Sequence, residues 1–346
     1  MSRRRTSFKR AALSLLCVVL GLVLAMMLSV TVYFQHLLNQ INYVDPNDAP
    51  QLSQEELDAI LANEADDGDS DAPSMNAEDV EFAEHSTQIG GKGSGIVNIL
   101  LIGQDRREGE GRARSDSMIL CTFNKQAKTL TMTSFLRDLY VQIPGYQDNR
   151  INAAYAAGGM SLLDKTLEEN FGIQIDGNVE VDFSQFAYII NLLGGVEIEL
   201  RQDEANFINV ETGSALSAGV QLLNGDQALA YSRIRKLDAD GDFSRTNRQR
   251  KVLNALLDTY KNSSLTTILS LLDDILPMIT TDLSDIKIIA YATELFPMLA
   301  DATLVSQRIP ADGTYQNRMI NGMAVLVADM DASRELLQQT LMGTSG

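Results

Sequence analysis

Fifteen arginines follow Phe34, and eleven of them fall in three short stretches: Arg106, Arg107, Arg112 and Arg114; Arg137 and Arg150; Arg233, Arg235, Arg245, Arg248 and Arg250. The chain around them has a formal net charge of −18. Guanidinium presents a planar fork of donors that matches phosphate oxygens two at a time and stays charged at physiological pH. Such crowding in an acidic chain points to a phosphate or pyrophosphate site. The plain alternative is a scatter of surface ion pairs, each contributing ~0–1 kcal/mol. The only histidines, His36 and His85, lie upstream of all these arginines. That excludes Ser-His-Asp and Cys-His catalysis and a histidine-ligated zinc site among them. Carboxylates, guanidinium groups, hydroxyls and a hard metal ion remain.

Two carboxylates stand out. Asp105 follows the apolar run Ile99-Leu100-Leu101-Ile102, and Asp116 precedes the next one, so the two flank a single charged loop. Carboxylates beside a phosphate suit Mg²⁺ (or Mn²⁺), which completes its octahedron with water and substrate oxygens. The competing reading is that both side chains cap turns. Arg137 ends another strand-like run. The segment Tyr231-Ser232-Arg233-Ile234-Arg235 alternates as an extended strand would, with both guanidiniums on one side and Ile234 on the other. Arg245 and Gln249 are four apart on a helix and share a face, near a helix start that favours anions.

The elements that must carry these residues begin near Ile96. Ile96 to Ile102, Met118 to Phe123, Thr129 to Ser134, Leu139 to Ile143, Val196 to Leu200 and Thr303 to Ile309 read as strands. Ser161 to Phe171 reads as a helix opened by a Ser161/Asp164 capping box and closed at Gly172. Phe183 to Leu193, Asn224 to Ser232, Asn247 to Tyr260, Leu265 to Leu276, Ser284 to Leu299 and Ser333 to Leu341 also read as helices. The expectation is a single α/β domain over residues 96–346, a central mixed sheet flanked by helices. Cys17 and Cys121 cannot form a disulfide framework, and Cys121 reads as a packed core thiol.

Upstream, Ala11 to Phe34 carries no charged side chain and as a helix covers about 36 Å, enough to cross a bilayer core of about 30 Å. Its apolar run exceeds the roughly 7–15 residues of a signal-peptide core. The expectation is a basic cytoplasmic tail at 1–10, one transmembrane helix at 11–34 and everything after it outside the cell membrane, since Arg3, Arg4, Arg5, Lys9 and Arg10 precede the span and no Lys or Arg follows until Lys92. Residues 35–95, with fourteen acidic and no basic side chains between Asp45 and Glu84, read as an acidic flexible spacer holding a short helix near Ser53 to Leu61.

Taken in order, these phrases match one family. Asn98-Ile99-Leu100-Leu101-Ile102-Gly103-Gln104-Asp105, Arg114-Ser115-Asp116, Ser134-Phe135-Leu136-Arg137-Asp138, Arg150-Ile151-Asn152-Ala153-Ala154-Tyr155, Leu223-Asn224-Gly225-Asp226 through Arg235, and Asp240-Gly241-Asp242-Phe243-Ser244-Arg245 through Gln249 resemble the LytR-CpsA-Psr family of cell-wall glycopolymer transferases. Leu136 and Arg150 depart from its usual proline and lysine. The resemblance implies that Asp105 and Asp116 hold Mg²⁺ and that Arg107, Arg114, Arg137, Arg233, Arg235, Arg245 and Gln249 hold the pyrophosphate of a polyprenyl-pyrophosphate-linked glycan. Asp105 and Arg137 would stand at the reacting centre, with metal binding and base work competing for the Asp105 carboxylate. The implied reaction joins the glycopolymer to a peptidoglycan hydroxyl. A lipid-pyrophosphate hydrolase and a noncatalytic membrane-bound regulator are the rival readings. Direct nucleic-acid binding is not expected, because residues 92–346 hold 23 basic and 32 acidic side chains.

Overall fold

The computed structural model describes residues 31–46, 48, 50–62, 71–82, 88–91, 93–104, 115–238, 241–262 and 265–342. In chain order the strands and helices are β1 (Asn42–Tyr43), α1 (Gln54–Ala62), β2 (Ile96–Gln104), β3 (Ser115–Asn124), β4 (Thr129–Phe135), β5 (Tyr140–Val141), β6 (Asn149–Arg150) and α2 (Ile151–Phe171). There follow β7 (Gly177–Asp182), α3 (Phe183–Leu192), β8 (Val196–Leu200), α4 (Gln202–Thr212), β9 (Gly219–Leu223), α5 (Gly225–Arg233) and α6 (Asp242–Asn262). The last part contains α7 (Leu265–Ile275), β10 (Thr280–Thr281), α8 (Asp285–Asp301), β11 (Thr303–Ile309), β12 (Tyr315–Ile320), β13 (Met323–Ala328) and α9 (Met330–Met342).

A seven-stranded mixed sheet of order β1-β10-β7-β2-β3-β4-β11 forms the centre. Its middle strands are apolar on both faces because helices cover both. Alternation divides them: Leu100, Ile102, Met118, Leu120 and Phe135 pack with Leu163, Leu167 and Phe171 of α2 and Leu337 and Leu341 of α9. Ile119, Cys121 and Met132 point the other way, toward Leu253 and Leu257 of α6 and Leu299 of α8. Cys121 is the buried thiol expected, and burial pushes it up to about 12.

A satellite cluster beside this sandwich joins α3, α4, α5 and the β8–β9 hairpin through Ile190, Val196, Ile208, Leu223, Ala228, Tyr231 and Ile234. Capping boxes start two of its helices, Asp182 with Gln185 on α3 and Asn224 with Gln227 on α5. Gly225 lets those helices touch, since a Cβ there would lie 1.9 Å from the Ala187 carbonyl oxygen.

Several expectations need correction. Helix α2 begins at Ile151, ten residues before Ser161, and bends where Gly159 takes φ 65° and ψ −153°. Asp164 makes no cap there; it accepts from Asn178 Nδ2 at 2.9 Å. The strand at Leu139 to Ile143 shrinks to Tyr140–Val141. Residues 231–233 are the last turn of α5, and only Ile234 is extended, because the Asn224 capping box propagates helix to Arg233.

The segment read as a flexible spacer is packed onto the domain wherever it is described. Leu57 and Ile89 are fully buried in the main core, Tyr146 donates to the Leu52 carbonyl at 2.5 Å, and Phe82 stacks on Tyr140. Its scattered apolar residues find core partners that composition alone does not reveal. No helix among the described residues is long and apolar enough to cross a membrane, and the run at 11–34 lies outside them except for its last four residues.

Candidate phosphate-binding site

The sheet register gathers the chemistry at one end. Strand β2 runs antiparallel to β3 and β3 to β4, so the end of β2, the start of β3 and the end of β4 coincide. Gln104 pairs with Ser115 across an irregularity after Gly103, and Met118 pairs with Phe135. Asp116 therefore stands beside the end of β2, and Arg137 two residues beyond the end of β4. From the satellite cluster, α5 delivers Arg233 and the following turn Arg235 and Lys236. Helix α6 supplies Arg245 and Gln249 from adjacent turns of one face.

These residues line a cavity of about 480 Å³ together with Phe183 and Phe207. Among the described residues its wall carries five cationic side chains, Arg137, Arg233, Arg235, Lys236 and Arg245, against one carboxylate, Asp116. In a chain of net charge −18 that local excess calls for an anion. Of the sequence-derived site residues, Asp116, Arg137, Arg233, Arg235, Arg245 and Gln249 are brought together; Asp105, Arg107 and Arg114 lie outside the described residues.

The guanidiniums are held by carboxylates set one layer back. Arg137 Nη1 donates to Asp116 Oδ1 at 3.0 Å, and its Nε lies 3.5 Å from Asp138 Oδ2. Arg150, buried behind it, approaches the other Asp138 oxygen at 3.6 Å. Arg245 pairs with Asp242 at 2.8 Å and donates to the Asp116 carbonyl at 3.2 Å; Arg235 approaches Asp242 at 3.8 Å. Arg245 Nε is buried without a hydrogen-bond partner among the described residues. An orphaned buried donor is costly and suits an incoming acceptor. Gln249 accepts from the Ser117 hydroxyl at 3.1 Å, and Arg233 lies over the Phe183 ring at 5.3 Å.

Burial raises the Asp116 carboxyl, but Arg137, Arg245 and Arg235 outweigh it and hold Asp116 below the usual carboxylate range, so it is ionised at neutral pH. Burial, with repulsion from Arg235 and Arg137, pulls Arg245 down to about 10 against the attraction of Asp242. Burial lifts Asp138, partly offset by Arg137. Positive charge is thus compressed at the site, as a polyanion would require.

A second cavity of about 120 Å³ adjoins the first. It shares Phe183 and Gln249 and continues between sheet and helices past Leu101, Ile119, Val179, Val181, Phe186 and Leu253. Phe183 and Phe186 of α3 thus face an open volume.

Sequence reasoning missed Asp138, Asp242 and Lys236. The signals were present: Asp138 adjoins Arg137, Lys236 adjoins Arg235, and Asp242 precedes Arg245 by three residues on one helix.

The LytR_cpsA_psr family model matches residues 61–341. The chain belongs to the LytR-CpsA-Psr family. A curated relative, the polyisoprenyl-teichoic acid–peptidoglycan teichoic acid transferase TagT of Bacillus subtilis (strain 168), is 38% identical over 214 residues, 60% of this chain and 65% of that protein. The match therefore spans just under two thirds of that relative's length. The solved structure described as "TagT bound to LIIa-WTA" is 31% identical, with TM-score 0.62, over 77% of this chain and 100% of its own. Another, "LytR-CPS2A-psr family protein YwtF (TagT) with bound octaprenyl pyrophosphate lipid", is 28% identical, with TM-score 0.57, over 76% of this chain and 99% of its own. LytR-CpsA-Psr membership accounts for the α/β architecture, the mixed sheet and the helices on its two faces.

Proposed function

We propose that this chain is a phosphotransferase that moves a glycopolymer from a polyprenyl-pyrophosphate carrier to a peptidoglycan hydroxyl, anchored in the cell membrane by residues 11–34 with its N-terminus cytoplasmic and its domain outside. One observation carries the reading: a strongly cationic cavity adjoins an apolar one, the two sharing Phe183 and Gln249, as a lipid with a pyrophosphate head needs. The pyrophosphate-lipid and teichoic-acid complexes of the TagT structures support it.

In this scheme Arg137, Arg235 and Arg245 hold the pyrophosphate, while Arg233 and Gln249 line the way toward the lipid. The acceptor oxygen bonds to the sugar-side phosphorus as the bond to the bridging oxygen breaks; the acceptor's proton passes to the departing polyprenyl monophosphate. Fixed guanidiniums stabilise the charge that grows on the phosphoryl oxygens without reorganising during reaction.

Asp116 fits a hard cation, being ionised, on the cavity wall and partly open to solvent, with one oxygen given to Arg137. Among the described residues no cluster of three Asp, Glu, Cys or His gathers for a metal, so Asp116 would contribute one ligand beside Asp105, substrate oxygens and water. Mg²⁺ (or Mn²⁺) bound there would neutralise non-bridging phosphate oxygens.

The test is Arg235→Ala, chosen because Arg235 is only half-buried. Assayed with labelled lipid-linked glycan and peptidoglycan, transfer should fall about 100-fold or more, with melting temperature close to the parent. Transfer at the parent rate would reject the assigned anion site. Lipid-phosphate release indifferent to peptidoglycan would favour the hydrolase instead.

A further inference from the structure

Helix α8 is apolar on two sides. Its inner side sends Ile288, Tyr291 and Leu295 into the cluster formed with Val97, Ile99 and Leu283. Two of its charged side chains turn back to the body, Lys287 donating to the Asp176 carbonyl at 2.7 Å and Glu294 pairing with Lys125 at 2.5 Å, while Asp285 and Asp301 stand exposed at its two ends. What remains outside, at spacings of three, four and seven, is Ile286, Ile289, Ala290 and Thr293, a stripe without charge. Ile286 is 81% exposed and Ile289 45%. A helix apolar on both faces belongs between two apolar media, and the folded domain supplies one of them.

The start of α8 lies where the chain leaves the apolar run. Residues 31–38 are helical and seated on the domain by the buried Leu37 and Leu38. Gln35 Nε2 reaches Asp285 Oδ2 at 3.5 Å, and Gln40 Nε2 reaches Asp273 Oδ1 at 3.1 Å. Strand β1 then joins the main sheet beside β10, and Asn42 Nδ2 donates to the Pro277 carbonyl at 2.8 Å. No loose tether separates residue 34 from the domain. A bilayer surrounding the run up to Phe34 would have its surface within about one helical turn, roughly 5 Å, of the level of Asp285 and Ile286. Asp285 accepts from Gln35 and Asp273 from Gln40, with His36 3.7 Å from Asp273, while Asp274 beside it is exposed.

We infer that the outer side of α8, beginning at Ile286 and Ile289, rests on the outer leaflet of the membrane and fixes the orientation of the domain on it. The inference presupposes the membrane anchor of the proposed function and adds a second contact to it. It sets at what height the lipid-accepting cavity stands above the bilayer.

The chain contains no tryptophan, so a single one reports its own surroundings. Ile286→Trp, Ile289→Trp and, as a control on the exposed side of α4, Val210→Trp are made in the full chain. Each is reconstituted in phosphatidylglycerol/phosphatidylcholine vesicles with bromine placed shallow on the acyl chains, with circular dichroism to verify folding. Tryptophans at 286 and 289 should emit to the blue of the one at 210 and be quenched several-fold more by the brominated lipid. Emission like that at 210 in chains that float with the vesicles would overturn the inference while leaving the anchor standing. Blue-shifted but unquenched emission would overturn it in favour of a protein cover. Failure to float would overturn both readings.

Discussion

Arg248 and Arg245 lie three residues apart on α6, yet the surroundings of each give it a different task. Arg248 is saturated: its Nε donates to Glu204 at 2.9 Å, its Nη1 to the Ile234 carbonyl at 3.2 Å, its Nη2 to Asp238, and its face lies over Tyr231. Both Arg248 and Glu204 are about 95% buried, with 4% and 5% of their side chains exposed. Among the described residues Arg245 keeps a buried Nε without a hydrogen-bond partner, and it stands beside Arg137 and Arg235. The first set closes on itself and fastens the Arg233–Asp238 turn to α4 and α6. The second lines the cationic cavity, where the proposed function puts the pyrophosphate. Local charge balance, more than arginine density, separates a guanidinium that holds the fold from one that holds a substrate.

The sharpest way to break that distinction is Arg248→Ala. Leaving buried Glu204 with only Arg201, its Nη1 at 4.0 Å and its backbone N–H at 2.9 Å, should lower stability by about 3 kcal/mol, read from the urea midpoint. Pyrophosphate-lipid binding per folded molecule should change far less. An unchanged midpoint would mean that the closed set does no structural work.

Asp164 is the converse case, a buried carboxyl with no guanidinium beside it. Burial, with Asp282 and Glu168 nearby and the Asn178 amide and the Lys287 cation opposing, raises it to about 7. A raised folded-state pKa means the native state holds a proton that the unfolded chain has released above about 4. This group's contribution is therefore full below about pH 4 and is lost as pH rises toward 7. Asp164→Asn should flatten that part of the stability curve and stabilise the protein at pH 7.5 by on the order of 2 kcal/mol. Parallel curves for variant and parent between pH 4 and 7 would refute the assignment.

The smallest effect is expected from Lys236→Ala. Lys236 is exposed at the lip of the cationic cavity, where solvent screens its charge. Affinity for the lipid-linked pyrophosphate should drop about two- to fivefold, with a weaker salt dependence. A loss as large as that of Arg235→Ala would place Lys236 among the ligand's direct holders.

Much of this was legible in the sequence, for reasons that differ by region. The unbroken run at Met118 to Phe123 declared a strand because burial on two faces leaves a continuous apolar stretch, and Thr303 to Ile309 holds the bounds read for it although it lies at the sheet edge. Tyr231 to Arg235 misled, because five residues that end a helix and expose one side look the same as a short strand. The hairpin strands β9 and β12 are half-exposed and too weakly patterned to announce themselves. The partner carboxylates Asp138 and Asp242 were hidden in plain view, since a sequence shows who is adjacent but not which neighbour the fold turns inward. Arg137 shows the limit of reading a site residue by itself. From sequence its removal looks neutral for stability, whereas its seat between Asp116 and Asp138 makes it part of the scaffold as well.

The bare backbone of Gly225 against the Ala187 carbonyl leaves α3 and α5 no clearance to slide. Phe183 at the start of one helix and Arg233 at the end of the other are thereby mounted on a single rigid block. In the proposed function, a lipid that spans the charged cavity and the apolar one passes beside these two stacked side chains, so the cross-section of the guest is what the passage selects.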